Sequence, residues 1–356
     1  MGRLKSKLEK IGRDPKITAK AVGLRYSINT TTGYFRLKKN DIFVFLDQNK
    51  KMVRDKQILE RINKLVILPA WEMVWISPYE NGHLQATGID AKGRKQYRYH
   101  TQWNKIRNQS KFYKLQSFAN ALPAIRKQVD KDLNRNGLPY EKVVALVIKL
   151  IELTNIRIGN EAYKKLYGSF GITTLQDKHV RFINSKIYFD FVGKKGVIHK
   201  MGIKSRKLAN LVKKCKDIPG QDLFQYYDEN GSPHTIGSAD VNNYIKENAQ
   251  EDFTAKDYRA WAGTVNALTA FQNLTPAENQ TDCKRKIIEV LDDVASKLGN
   301  TRAVCKKYYV DPTVIAAFEK GSIWKYKPNP KNTDLLPEES TLLELLQNET
   351  ISEVIC

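Results

Sequence analysis

The chain is expected to be α+β, with a small β-rich N-terminal domain followed by a mostly α-helical domain that carries a three-stranded antiparallel insert. Three observations predict this. Between residues 24 and 108, five short runs rich in β-branched and aromatic residues lie between Gly, Asn and Asp. From Lys111 onward, apolar side chains recur at helical spacing. Between residues 180 and 203, three further β-type runs are joined by two short turns. The expected domains are 1–108, 109–325 and an acidic C-terminal tail, 326–356.

In order, the N-terminal strands are Tyr34–Lys38, Ile42–Asp47, Glu72–Ile76, His83–Gly88 and Lys95–His100, with one helix, Lys56 to Leu65, among them. Leu115, Phe118, Leu122, Ile125, Val129 and Leu133 then share a helical face, and Pro123 predicts a break in it. The Asp132–Gly137 stretch begins like a calcium loop, but Val143 stands where the twelfth-position glutamate belongs, so it reads as a turn. The helix Tyr140–Leu153 is apolar nearly all round and belongs at the centre of a second core. The insert follows as Val180–Ile183, Ile187–Gly193 and Val197–Ile203, with Gly193-Lys194-Lys195-Gly196 as its tight turn.

Helices then resume. Residues 284–298 end at Gly299, suited to a C-terminal cap, and a new helix starts with Asp311 as N-cap and Pro312 in its first turn, running to Gly321. Tyr309 therefore falls on a short connection just ahead of a helix start, among Lys306 and Lys307. The tail carries a Leu-rich helical piece at Leu342–Leu346, and no internal repeat is present.

Lys and Arg number 60 against 38 acidic residues, a formal net charge of +22. From Lys331 onward one basic residue faces six acidic ones, so the body carries +27. So one-sided a balance implies a polyanionic partner, nucleic acid first. Four scattered cysteines without a CxxC pair indicate neither a disulfide framework nor a zinc site, and the five histidines show no metal spacing. The N-terminus lacks the apolar core of a signal peptide, and its Gly2/Ser6 acylation pattern is too short to carry weight. Val143 to Leu153 is too short and too charged to span a bilayer. A soluble, cytoplasmic protein with no membrane partner is expected.

Four separated segments could converge on one phosphate. In Thr154–Tyr163, Arg157 at the end of the core helix, beside Gly159, offers a guanidinium fork; alone it reads as an exposed arginine paired with Glu161. In the insert, Lys194 or Lys195 stands at the hairpin tip, where ordinary turn chemistry also favours lysine. In Lys256–Thr264, Tyr258, Trp261, Val265 and Leu268 make a packing face, while Arg259 sits on another, above Ala262 and Gly263, where a backbone can approach closely. The fourth segment runs from Asn300 to Tyr309. A lone tyrosine at such a junction usually packs; the company it keeps argues otherwise.

The strings NGHLQATGIDAKGRKQYRYH, LTNIRIGNEAY, FTAKDYRAWAGT and LGNTRAVCKKYYVDP follow, in order and spacing, the active-site blocks of type IB DNA topoisomerases, and the chain resembles the compact bacterial and large-DNA-virus branch over residues 20 to 320. The resemblance implies a helical catalytic domain of the kind shared with tyrosine recombinases, Tyr309 as nucleophile, Arg157 and Arg259 as phosphate clamps and Lys194 as general acid. Asn300 stands where viral and nuclear members carry histidine; bacterial members have asparagine here too. Gln96, Tyr97 and Tyr99, with Arg94 nearby, match the segment that reads DNA in the groove, and Lys256 is a further expected DNA contact.

The implied function is relaxation of supercoiled double-stranded DNA through a 3′-phosphotyrosyl link, by a monomer without ATP, metal or other cofactor. The residue types suit that chemistry. A phenol is a weak acid in water, so its attack needs a cationic pocket. Arginine can hold two non-bridging oxygens as charge builds, and a 5′-alkoxide needs a proton to leave. No GxxxxGK[ST] loop is present. The rivals are a site-specific tyrosine recombinase, which usually has histidine at the place of Lys256, and a non-catalytic basic DNA-binding protein.

Overall fold

A computed structural model of the chain describes residues 14–40, 42–91, 93–330 and 334–349. Contacts divide the chain into two compact units, 1–114 and 115–356.

The first unit opens with helix α1 (Pro15–Ala21), whose N-cap Asp14 accepts from the Lys16 and Ile17 N–H groups. Its sheet comprises β1 (Tyr34–Lys39), β2 (Ile42–Leu46), β3 (Glu72–Ile76), β4 (Leu84–Ile89) and β5 (Lys95–Tyr99), in the order β2-β1-β3-β4-β5. Each strand ends within a residue of the expected bound, because Gly, Asn and Asp punctuate the runs. Helix α2 (Lys56–Lys64), capped by Asp55, buries Ile62 against Val74, Ile76 and Ala86. A second small core gathers Ala19, Leu24, Trp103 and Ile106.

Helix α3 (Thr101–Leu133) corrects two expectations. It starts ten residues before Lys111, since its first turns bury only Trp103 and Ile106 and therefore show little apolar periodicity. It also continues through Pro123, which costs one backbone hydrogen bond but does not end the helix.

The second unit is built on α4 (Tyr140–Thr154), which buries nine of its residues from Lys142 to Ile151. Helix α5 (Glu161–Tyr167) follows, then the sheet β6 (Val180–Ile183), β7 (Lys186–Val192) and β8 (Ile198–Lys204), paired antiparallel in that order. After α6 (Arg206–Lys216), a short hairpin of β9 (Gln225–Tyr227) and β10 (Pro233–Thr235) interrupts what the sequence suggested was unbroken helix. It is too short to show an alternating pattern. Next come α7 (Ser238–Ala249), α8 (Ala255–Gln272), α9 (Gln280–Lys297), α10 (Arg302–Tyr308), α11 (Pro312–Glu319) and α12 (Pro337–Asn348).

Helix α8 is the hub, with α4, α9, α11 and α12 all packed on it. Phe118 meets Phe253, Tyr258 and Trp261 edge-on in the same core. The acidic tail is part of this unit. Helix α12 buries Leu342, Leu343, Leu345 and Leu346, and its Glu339 accepts two hydrogen bonds of 2.8 Å from Arg126 and one of 3.0 Å from the Trp261 indole.

Candidate active site

Arg157, Arg259, Asn300 and Tyr309 come together in the second unit. Helix α4 ends at Asn155, whose left-handed φ of 56° turns the chain sharply toward Arg157. The Arg157 backbone is then pinned, as its carbonyl accepts from the Ile172 N–H at 2.8 Å, and the next carbonyl, Ile158, accepts from Thr173 at 2.8 Å. Arg157 does not pair with Glu161, which lies 3.5 Å from Lys164 instead. Its Nη2 donates to the Gly299 carbonyl at 2.8 Å and to the Asn300 side-chain oxygen.

Arg259 lies in the second turn of α8, behind a capping box made by Thr254 and Asp257. Its side chain is only 3% exposed and donates to the Asn155 carbonyl and, at 2.8 Å, to the Leu298 carbonyl. The loops that follow α4 and α9 thus serve as carbonyl cradles for both arginines. Burial lowers the Arg157 guanidinium from its ordinary value, with Tyr309 opposing, and pushes Arg259 down to about 10. A nearby anion would reverse that desolvation cost.

Tyr309 is the C-cap of α10 and not a free connection residue, because 302–308 close a helical turn that the sequence reading left as loop. Its N–H donates to the Cys305 carbonyl at 2.9 Å, and its own carbonyl accepts from Thr264 Oγ1 at 3.1 Å. The close backbone approach expected above Gly263 is that of Tyr309 itself. The Arg259 guanidinium carbon stands 5.2 Å from the Tyr309 ring centre, whereas Tyr308 has Lys307 over its ring at 5.3 Å. The neighbouring tyrosines therefore face different cations.

Three buried donors in this cluster lack an acceptor: Arg157 Nη1, Arg259 Nε and Asn300 Nδ2. A buried donor without an acceptor costs about 1–3 kcal/mol, and an anion with several oxygens could satisfy all three.

Lys194 sits exposed at the β7–β8 turn, with Nζ 5.8 Å from the Tyr163 ring centre. Lys195, beside it, has a left-handed φ of 63°. Lys256 is exposed in the first turn of α8. In the first unit, Tyr97 and Tyr99 stack at 5.8 Å on edge strand β5, with Lys95 and Arg107 over their rings. Gln96 pairs across from Gly88 and donates to Asp90 at 2.8 Å, and Arg94 also pairs with Asp90. Alternation along β5 thus puts Gln96 on the opposite face from the two tyrosines.

Two family models match this chain. The model of the eukaryotic DNA topoisomerase I catalytic core matches residues 100–329, and that of the bacterial DNA topoisomerase IB N-terminal domain matches 42–90. The chain belongs to the type IB DNA topoisomerase family. DNA topoisomerase 1B of Acanthamoeba polyphaga mimivirus is 34% identical over 287 residues, 78% of this chain and 85% of that protein. DNA topoisomerase 1B of vaccinia virus (strain Copenhagen) is 24% identical over 230 residues, 64% of this chain and 70% of the relative.

Sequence reading of this topoisomerase missed Thr264 and the carbonyls of Asn155, Leu298 and Gly299. Asn155 at a helix end and Gly299 after one were visible as cap residues. Their second task, accepting from arginines remote in sequence, was not. Among the described residues, no group of three or more His, Cys, Asp or Glu could hold a metal ion, and no helix is long and apolar enough to cross a membrane.

Proposed function

We propose that the chain relaxes supercoiled double-stranded DNA by nicking one strand through a 3′-phosphotyrosyl intermediate. The Tyr309 hydroxyl oxygen bonds to phosphorus, its proton passes to solvent, and the phosphorus–5′-oxygen bond breaks. Lys194 gives the departing 5′-oxygen its proton. Arg157, Arg259 and Asn300 donate to the non-bridging oxygens as their charge grows. Asn300 has no proton to give up, so its part is a hydrogen bond only. Reversal reseals the strand with the bond energy retained, so ATP is not required.

The observation that carries this reading is the set of three buried donors without acceptors beside Tyr309. All come from one chain, which supports action as a monomer. In the first unit, Tyr97 and Tyr99 offer stacked rings with cations beside them, suited to a DNA contact, and Arg94 and Gln96 are assigned as further DNA contacts of that unit; in the second unit, exposed Lys256 is assigned as a separate one. The DNA substrate implies a compartment that holds DNA, and we assign the cytoplasm. Incubation with supercoiled plasmid in EDTA without ATP should give the relaxed ladder; unchanged plasmid would overturn the proposal.

A further inference from the structure

One side chain occupies the space between the Lys194 turn and the Gly299–Asn300 backbone. His199 lies on β8 opposite Phe191 of β7, and its ring stacks on Phe191 at 4.9 Å with 15° between planes. A Cβ on Gly193 would come within 2.6 Å of its Cδ2 and Nε2, and one on Gly299 within 2.6 Å of its Cε1. The ring fills room that only two glycines leave. Gly299 has φ +59°, so its backbone favours glycine anyway. Gly193, at φ −93° and ψ −165°, is in extended backbone open to any residue, so there the ring alone demands glycine.

Both glycines belong to the proposed chemistry. Gly193 closes the turn that carries Lys194, its N–H donating to Val197 at 2.7 Å. Gly299 supplies the carbonyl that holds Arg157 and precedes Asn300. We propose that His199 is a positioning residue that sets the Lys194 turn against the Arg157–Asn300 clamp. Its ring is neutral, pushed down to about 4 by burial and then by the charges of Arg157 and Arg259, so it adds no cation of its own to the pocket. It works by shape, as a gauge between two pieces of chain far apart in sequence. The inference rests on Lys194 being the general acid.

The test is single-turnover cleavage of two DNA substrates, one with the ordinary bridging 5′-oxygen and one with sulfur there, which departs without a proton. Lys194→Ala and His199→Ala should both be slow on oxygen, the latter by about 10- to 100-fold from misplacement, and both should largely recover on sulfur. Gly193→Ala should be slow in the same sulfur-rescued way, because its methyl meets the ring. Gly193→Ala/His199→Ala should be no slower than His199→Ala, since the methyl then enters vacated space.

A His199→Ala defect equal on both substrates would overturn the inference, as would Gly193 and His199 effects that multiply. Should His199→Ala not fold, Gly193→Ala keeps the core ring and decides alone, by a sulfur-rescued defect or its absence. A Lys194→Ala defect that sulfur does not rescue would instead overturn the lysine assignment itself.

Discussion

Gly263 and Tyr309 are in direct apposition: a Cβ built on Gly263 would lie 2.6 Å from the Tyr309 carbonyl oxygen and 3.2 Å from the Tyr309 Cβ. Helix α8, which carries Arg259, therefore touches the backbone of the tyrosine as well as its ring. Thr264, the next residue, adds to the contact: its hydroxyl shares one proton between the Ala260 carbonyl at 2.8 Å and the Tyr309 carbonyl at 3.1 Å, and accepts from the Asp311 N–H. Arg259 and the Gly263 contact that holds the Tyr309 backbone thus lie one helical turn apart on α8.

Gly263→Ala should therefore slow cleavage by about 100-fold, the usual result of misplacing a reacting group by an ångström. Alanine is the better helix former, so any loss of stability comes only from the methyl against Tyr309 and Leu298. Single-turnover cleavage rates against the wild type check it. An alanine enzyme of full activity would show that the contact does not position Tyr309.

The tail makes a stability prediction. Burial by itself would raise the Glu339 carboxyl, but Arg126 outweighs it and holds the group below the usual range. Glu339→Ala leaves the Trp261 indole without its acceptor and Arg126 with Glu152 alone. The expected cost is on the order of 3 kcal/mol, the low end for a broken buried pair because Arg126 is partly exposed. Urea unfolding should show it as a lowered midpoint, and an unchanged midpoint would mean the tail helix contributes nothing to the unit.

These two contacts mark where sequence reading stops. The strands, the helix α4 and the caps around Gly299 and Asp311 were legible because each is set by local rules of period and turn chemistry. Arg157, Arg259, Asn300 and Tyr309 were singled out through the family resemblance of their segments, and the fold brings the four together. The carbonyls that cradle the arginines were not, since every residue has a carbonyl and only tertiary packing aims one. Nor was the docking of α12, since an acidic Leu-rich segment reads equally well as a free tail. The length of α3 was hidden for a similar reason: its first turns serve a small core with two apolar residues, too few to show a period.

His199 adds a pH dependence. Burial and then the charges of Arg157 and Arg259 push the folded ring down to about 4 from its ordinary 6.5. Above pH 6.5 the ring is neutral in both states and stability does not depend on it. As pH falls from 6.5 toward 4 the unfolded chain binds the proton first, so stability declines. His199→Gln should abolish that part of the decline, and the stability gap between wild type and variant should narrow from pH 7 to pH 5. Urea midpoints at those pH values measure it; a gap of constant size would contradict a buried neutral ring.

Tyr309, held by Arg259 and Thr264, is expected to form the covalent link, and Tyr308, one residue away beneath Lys307, is not. The most direct measurement is to trap the enzyme on nicked DNA, digest both polymers, and identify the nucleotide-bearing peptide by mass spectrometry. A 3′-nucleotide is expected on Tyr309, with no adduct from Tyr309→Phe and a normal one from Tyr308→Phe. An adduct on Tyr308, or one surviving in Tyr309→Phe, would contradict it.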